Sequence, residues 1–349
     1  MGLYAPTPIQ AQAVPAAMQG ADVWATAPTG SGKTLAFALP LVQQHLLVPR
    51  QTNFRRPVRT LVLVPTRELA VQVGDVFTHL GYPLKLKVAV VYGGVSINPQ
   101  MMGLRGGADI VVATPGRLLD LVDHNAVHLK DVQHLVLDEA DRLLDDGFAD
   151  ELARVLRALP ARRQNLLFSA TFPAEVDALA QRLLHDPLRV ALAHHAAGSL
   201  TDATADADEA GEAVESRLTE RAIEVDSTRR TPLLRHLIDQ EGWPRVMVFV
   251  ATRYACDHVA DKLRRAGLTA EAFHGDASQG ARTRLLAAFK AGELQVLVAT
   301  DLGARGIDIA QLPVVVNYDL PRAAADYVHR IGRTARAGAS GLAISFISP

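Results

Sequence analysis

Short runs of β-branched and aliphatic residues alternate with longer amphipathic stretches, and the alternation occurs twice along the chain. In the first half the strand candidates are Val23–Thr26, Thr60–Val64, Val88–Val91, Ile110–Ala113, Leu135–Leu137 and Asn165–Phe168. In the second they are Val246–Val250, Ala270–Phe273, Val296–Ala299, Val314–Val316 and Ala343–Phe346. Apolar runs of this kind need cover on both faces, and the intervening helices supply it. The pattern therefore predicts an α/β fold with two mostly parallel sheets in tandem. A chain of 349 residues is long enough for two separate cores.

Between the halves the pattern lapses. From Thr201 to Glu215 the chain carries Asp202, Asp206, Asp208, Glu209, Glu212 and Glu215 and no basic residue. Low hydrophobicity with one sign of charge reads as a flexible linker, with an alanine-rich helix as the alternative. The expected division is a first domain over 1–192, a linker over 193–216 and a second domain over 217–349. His194 and His195, adjacent in this segment, read as solvated rather than as metal ligands.

Composition narrows the function classes. Hydrophobic residues make up 49% and charged residues 21%, and the formal net charge is −1. Nucleic-acid binding through bulk positive charge is excluded, while a groove lined by a few arginines and amides is not. No apolar stretch reaches the roughly 20 residues of a membrane span. Cys256 is the only cysteine. It shares a helical stripe with Val259, Ala260 and Leu263 and reads as a small core residue. A cytoplasmic compartment and a monomer are expected.

Two motifs carry chemistry. After the strand Val23–Thr26 comes Ala27-Pro28-Thr29-Gly30-Ser31-Gly32-Lys33-Thr34, then a helical run. This is a phosphate-binding loop with alanine at its first glycine. Gly30 and Gly32 let the backbone approach phosphates at a helix N-terminus, with Thr29 and Ser31 beside them as nucleotide-binding candidates. Lys33 reaches the β- and γ-phosphates, and the Thr34 hydroxyl suits Mg²⁺. After Leu135–Leu137 comes Asp138-Glu139-Ala140-Asp141. Carboxylates crowded at a buried strand end repel one another and lose hydration, so a divalent cation is expected there. Asp138 and Thr34 are the metal candidates, largely through water. Glu139 is the candidate base toward an attacking water, and Asp141 a tether to neighbouring segments. Gln10 follows a proline turn, and its amide could match one edge of adenine.

These motifs and their companions resemble the DEAD-box RNA helicases of superfamily 2 over nearly the whole chain. Pro6–Gln10 is similar to the end of the Q motif. Pro65-Thr66-Arg67-Glu68-Leu69-Ala70 resembles motif Ia, and Gly93-Gly94 with Thr114-Pro115-Gly116-Arg117 resembles the next RNA-contacting elements. Ser169-Ala170-Thr171 resembles motif III, and Val248–Arg253 motif IV. His274-Gly275-Asp276 with Gln279 and Arg282 follows, then Thr300–Asp308 as motif V and His329–Arg336 as motif VI. Tyr92–Gln100 also resembles the bacterial RhlE-like branch.

The resemblance implies two RecA-like domains that bind ATP with Mg²⁺ and unwind short RNA duplexes. It gives Arg333 and Arg336 the role of arginine fingers, consistent with a need for counter-charge in phosphoryl transfer. It gives Asp308 the ribose hydroxyls. Thr66, Arg67, Gly94, Thr114, Arg117, Arg253, Gln279, Arg282 and Thr300 become contacts to RNA. These are groups that hold phosphate and sugar rather than read bases. Asp141, Ser169, Thr171 and His329 would couple ATP to RNA.

Neither half carries a complete set, so ATP and RNA are expected to favour a closed pair of domains and to bind cooperatively. Arg330 reads as one solvated basic position. The family's adenine-stacking aromatic upstream of the Q motif has no counterpart in the chain, so weaker adenine binding is expected. Ala335 stands where glycine is common and Gly303 where alanine is common; both are expected to cost little. Both ends read as trimmed, with protein partners expected on flanking tails. The rival functions are an ATP-locked RNA clamp and a DNA helicase.

Overall fold

A computed structural model of the chain describes residues 5–27, 30–47, 55–145, 147–192, 218–304, 307, 309, 312–334 and 340–348. The chain divides into two compact units, Met1–His195 and Ala196–Pro349. The expected linker lies almost wholly outside the described residues.

The first unit is built on seven strands: β1 Val23–Thr26, β2 Thr60–Leu63, β3 Val88–Val91, β4 Ile110–Ala113, β5 His134–Leu137, β6 Gln164–Ser169 and β7 Leu188–Ala191. Their spatial order is β3-β4-β2-β5-β6-β1-β7. Every pairing is parallel, so all the strands end at one edge. Side chains alternate between two apolar layers. Leu61 and Leu63 join one core with Leu135 and Leu137. Val62 and Val64 join the other with Phe37 and Phe168. Helices cover both faces, which is why these strands read as uninterrupted apolar runs.

The second unit repeats the plan with β8 Leu218–Glu224, β9 Val246–Val250, β10 Ala270–Phe273, β11 Val296–Thr300, β12 Val314–Asn317 and β13 Gly341–Ile347. The order is β10-β11-β9-β12-β13-β8, again parallel throughout. Val246, Val248 and Val250 face one core and Met247 and Phe249 the other. Cys256 is fully buried and its thiol donates to the Val298 carbonyl at 2.9 Å. Burial pushes that thiol up to about 12, so it stays protonated and unreactive.

Two strands escape the hydrophobic pattern. β7 buries only Val190, and β8 is polar and mostly exposed. Each pairs on one side only, β7 with β1 and β8 with β13. Unlike the edge strands β3 and β10, which keep their residues at least partly buried, these two are mostly solvated and so carry little hydrophobic signal.

Candidate functional site

β1 delivers the chain to the phosphate loop. The Ala27 amide donates to the Ser169 carbonyl at 3.1 Å, fastening the loop to the end of β6. Gly30 and Gly32 adopt φ of 84° and 94°. The φ of Gly32 favours glycine, and a Cβ there would also press on the Gln10 side-chain nitrogen at 2.4 Å. The Gln10 amide is used on both sides. Its oxygen accepts from the Thr7 N–H at 3.0 Å, and its nitrogen donates to the Gly32 carbonyl at 3.1 Å. Gln10 therefore clamps the loop to the start of helix Pro8–Met18.

Lys33 opens helix Lys33–Leu47 and is 6% exposed. Its ammonium donates across the loop to the Ala27 carbonyl at 2.9 Å. Thr34 follows it on the same helical turn. The Ser31 hydroxyl is buried with no hydrogen-bond partner among the described residues. An unpartnered hydroxyl beside a buried ammonium and a helix N-terminus is a fit for phosphate oxygens. Thr29 lies outside the described residues.

Asp138 leaves β5 into this space and is 3% exposed. Its carboxylate accepts from the Glu139 N–H at 3.0 Å. Burial pushes its pKa up to about 6. Lys33 pulls it down, while Glu139 and Asp141 add to the rise. Glu139 has φ of 52°, a left-handed conformation that costs a non-glycine residue about 1 kcal/mol or more.

Asp141 turns the other way. One carboxylate oxygen accepts from the Thr171 hydroxyl at 2.6 Å and from its N–H at 3.1 Å. The Asp141 N–H donates to the Ser169 hydroxyl at 3.2 Å, and that hydroxyl donates to the Thr171 carbonyl at 2.7 Å. The ends of β5 and β6 are thereby linked, and Lys33, Asp138, Asp141, Ser169 and Thr171 are gathered along three neighbouring strands. Among the described residues no cluster of three or more His, Cys, Asp or Glu side chains forms a metal cage.

The other half of the same edge holds a different set, after β2, β4 and β3. Thr66 caps helix Arg67–Gly81, its hydroxyl accepting from the Leu69 N–H at 3.2 Å. The Arg67 guanidinium covers Gly94, where a Cβ would meet it at 2.5 Å. Gln100 holds the Tyr92 backbone at both ends, accepting at 3.0 Å and donating at 3.1 Å. Arg117 is 9% exposed and donates to the Val95 carbonyl at 2.8 Å, while Thr114 is 7% exposed. Arg117 and Gln100 thus shape the 92–97 loop. The positioning role of Gln100 was not expected, although its residue type, able to donate and accept at once, was a signal.

In the second unit Arg253 is exposed and paired with Asp276 at 2.5 Å. Gln279 begins helix Gln279–Ala291, and its buried side-chain oxygen has no partner among the described residues. Arg282 is 3% exposed. It donates to the carbonyls of His274 at 3.2 Å and Gly303 at 3.0 Å, and lies over the Phe273 ring. That geometry makes it a brace between the end of β10 and the segment after β11. The Thr300 hydroxyl accepts from the Gly303 N–H at 3.1 Å.

One expectation requires correction. Arg330 is not solvated but 2% exposed. It makes a two-pronged ion pair with Asp301 at 2.6 and 2.7 Å, with further bonds to Asn317 and to the Asp319 carbonyl. At Gly303 a Cβ would lie 2.5 Å from the Phe273 carbonyl oxygen, so the close approach of these two segments uses the glycine. Arg333 is 8% exposed, with its guanidinium bonded to the Ile307 carbonyl. His329 lies one turn before it on helix Ala324–Ile331. Asp308, Ala335 and Arg336 lie outside the described residues.

The chain matches the DEAD/DEAH box helicase family over residues 7–179 and the helicase conserved C-terminal domain over residues 229–338. It is 42% identical to DEAD-box ATP-dependent RNA helicase 30 of Arabidopsis thaliana, over 100% of this chain and 56% of that protein. It is 41% identical to ATP-dependent RNA helicase DeaD of Mycobacterium tuberculosis, over 100% of this chain and 58% of that protein. It is 41% identical to ATP-dependent rRNA helicase rrp3 of Sclerotinia sclerotiorum, over 100% of this chain and 68% of that protein. The chain thus spans between about half and two thirds of these relatives. Among solved structures, Saccharomyces cerevisiae Dbp5 bound to RNA and ADP BeF3 is similar with a TM-score of 0.81 and 30% identity. That match covers 99% of this chain and 84% of that one.

Proposed function

Because the chain belongs to the DEAD-box RNA helicase family, with RecA-like folds in both units, we propose that it is an RNA-stimulated ATPase. In this reading it grips RNA by its backbone and separates short duplexes locally. One observation carries the reading. Lys33, Asp138 and the Asp141–Thr171–Ser169 linkage converge at the carboxyl ends of β1, β5 and β6, where open α/β sheets bind ligands.

In the proposed mechanism the loop amides and Lys33 hold the phosphates of ATP. Ser31, buried without a partner among the described residues, donates a further hydrogen bond to them. Thr34 and Asp138 would hold Mg²⁺, largely through water, and the ion would supply charge neutralisation. It would also relieve the unfavourable burial of the Asp138 carboxylate. Glu139 orients the attacking water and takes its proton. Arg333, Arg336 and Asp308 are the second unit's contribution to γ-phosphate and ribose. Asp141 transmits the state of this site to Thr171 and Ser169.

RNA is held along β2, β3 and β4 by Thr66, Arg67, Gly94 and Thr114, with Arg117 shaping the loop beside them. Arg253, Gln279 and Thr300 hold it on the second unit, with Arg282 bracing them. Contacts of this type favour no base sequence, and the 2′-hydroxyl distinguishes RNA from DNA. We further assign the chain to the bacterial RhlE-like branch on Tyr92–Gln100. A monomer in the cytoplasm, with protein partners recruited by flanking segments, completes the reading.

The test is ATP hydrolysis with and without single-stranded RNA or DNA, beside release of a short RNA duplex. Stimulation by RNA alone, together with duplex release, is expected. An ATPase rate indifferent to saturating RNA would defeat the reading, and tight RNA retention without duplex release would convert it to a clamp. Glu139→Gln should bind ATP and RNA normally and hydrolyse about 10²–10⁴-fold more slowly.

A further inference from the structure

The edge of the first sheet opposite the nucleotide loop carries a second concave site. A cavity of about 620 Å³ lies beside the amino-terminal ends of β2, β4 and β5. Four-residue strands separate it from the loop, a distance of roughly 13 Å or more. Its charged lining is lopsided: Arg55, Arg56, Arg59, Lys130 and Arg162 against the single carboxylate of Asp131.

Arg59 is the informative member. It immediately precedes β2, and its carbonyl accepts from the N–H groups of Gln133 and His134 at 2.8 and 3.0 Å. The residue is 8% exposed. Among the described residues its guanidinium has no hydrogen bond and no ion pair. The neighbouring arginines are provided for: Arg55 donates to the Ala126 carbonyl, and Arg56 pairs with Asp109 at 2.5 Å.

The Arg59 side chain is mostly packed against the protein while its charge is left without a carboxylate partner, so that charge adds to the others around the cavity. Water in the cavity can hydrate one such group. It does nothing for the mutual repulsion of Arg55, Arg59, Lys130 and Arg162, which have no ion-pair partner among the described residues. An anion with several charges answers both problems. Guanidinium groups match phosphate oxygens in pairs, and the volume falls within the range of small-molecule sites. Apart from His128 the lining has no ring on which a nucleobase could stack, so recognition rests on charge.

We propose that this cavity binds a small anion bearing two or more phosphate groups, independently of the nucleotide loop. The free compound and the phosphate tail of a nucleotide share this chemistry. Tripolyphosphate is the probe, titrated calorimetrically into the full chain carrying Lys33→Ala, which disables the nucleotide loop. Saturable binding is expected, weakened at least tenfold by Arg162→Glu or Lys130→Glu, both exposed positions whose replacement spares the core. Arg59→Gln should weaken it similarly.

Equal affinity for ATP in the Lys33→Ala background would assign the site to nucleotides, and preference for tripolyphosphate would assign it to the free anion. Either result supports the proposal. Binding that disappears with Lys33→Ala alone, or that survives all three cavity substitutions unchanged, overturns it. So does a short single-stranded RNA that takes the same site far more tightly than tripolyphosphate. Hydrolysis is not read in this assay, so the outcome leaves the ATPase reading standing or falling on its own test.

Discussion

Each unit ties strand ends together with a buried charged side chain, and the two ties differ in kind. In the first, Asp141 is held by the hydroxyl and amide of Thr171. In the second, Arg330 is held by both carboxylate oxygens of Asp301 and by Asn317. The second tie matches a cation with an anion. The first adds a carboxylate to an edge that already has Asp138 and Glu139, and it contributes to the raised pKa of Asp138. A matched ion pair buys rigidity. A gathering of carboxylates facing Lys33 holds charge in reserve for something that binds and leaves. The difference explains why both segments look alike as motifs yet suit different tasks.

The largest effect should come from breaking the matched tie. Arg330→Ala is expected to destabilise the second unit by about 3 kcal/mol, the low end for removing one partner of a buried pair, because the Asp301 left behind is partly exposed. Arg330→Lys should recover only part of this, since an ammonium cannot make the two-pronged contact. Urea unfolding followed separately in the two units reads both variants. Equal loss in the first unit would refute the assignment of the tie to its own sheet.

Acid should act on the first unit through a different pair of groups. Burial pushes His134 down to about 4, with His45 adding to the shift. Unfolded histidine takes up a proton near pH 6.5. The folded pKa is depressed, so this contribution is intact above pH 6.5 and is lost as pH falls toward 4, by up to about 3 kcal/mol. Asp138 runs oppositely, because its raised pKa favours the folded state as it protonates below pH 6. The parent chain and His134→Gln must therefore be compared. The variant should lose less stability between pH 7 and pH 5, and an identical acid limb in both would remove His134 from the account.

Two smaller substitutions sharpen the contrast. Thr171→Val removes a 2.6 Å bond to a buried carboxylate and should cost about 2 kcal/mol in the first unit. RNA stimulation of hydrolysis should fall while unstimulated hydrolysis persists. Retained stimulation would separate Thr171 from coupling. Gly303→Ala must move the Phe273 carbonyl and should cost about 1–2 kcal/mol in the second unit, read from its unfolding midpoint. An unchanged midpoint would mean that the close approach relaxes freely.

What the sequence made legible followed from burial and spacing. Strands covered on both faces announced themselves as apolar runs, whereas β7 and β8 did not, because most of their side chains stay in solvent and need not be apolar. The phosphate loop and Asp138–Asp141 were readable because their chemistry demands residue types at short spacing. Partners fixed only in space were not readable. Gln10 reaches Gly32 and Arg117 reaches Val95, each across 22 residues. Arg330 reaches Asp301 across 29. No local pattern distinguishes such an arginine from a solvated one; the difference lies in which acceptors the sheet edge brings within reach.

The smallest effect should come from an ion pair with the same chemistry as Arg330–Asp301 and the opposite burial. Arg253 and Asp276 are 61% and 60% exposed at their side chains, and the arginine holds the Asp276 carboxyl below its ordinary range through their hydrogen bond. An exposed pair is screened by water and salt and adds little to stability. Asp276→Asn should therefore leave the unfolding midpoint of the second unit where it was. Its effect should appear on RNA. With its counter-ion gone, Arg253 offers a whole charge to a phosphate, so binding should tighten a few-fold at low salt. The slope of log affinity against log salt should steepen by about one. If instead the midpoint fell while the salt slope stayed fixed, the pair would be a structural tie like Arg330–Asp301, and burial would not be what separates the two.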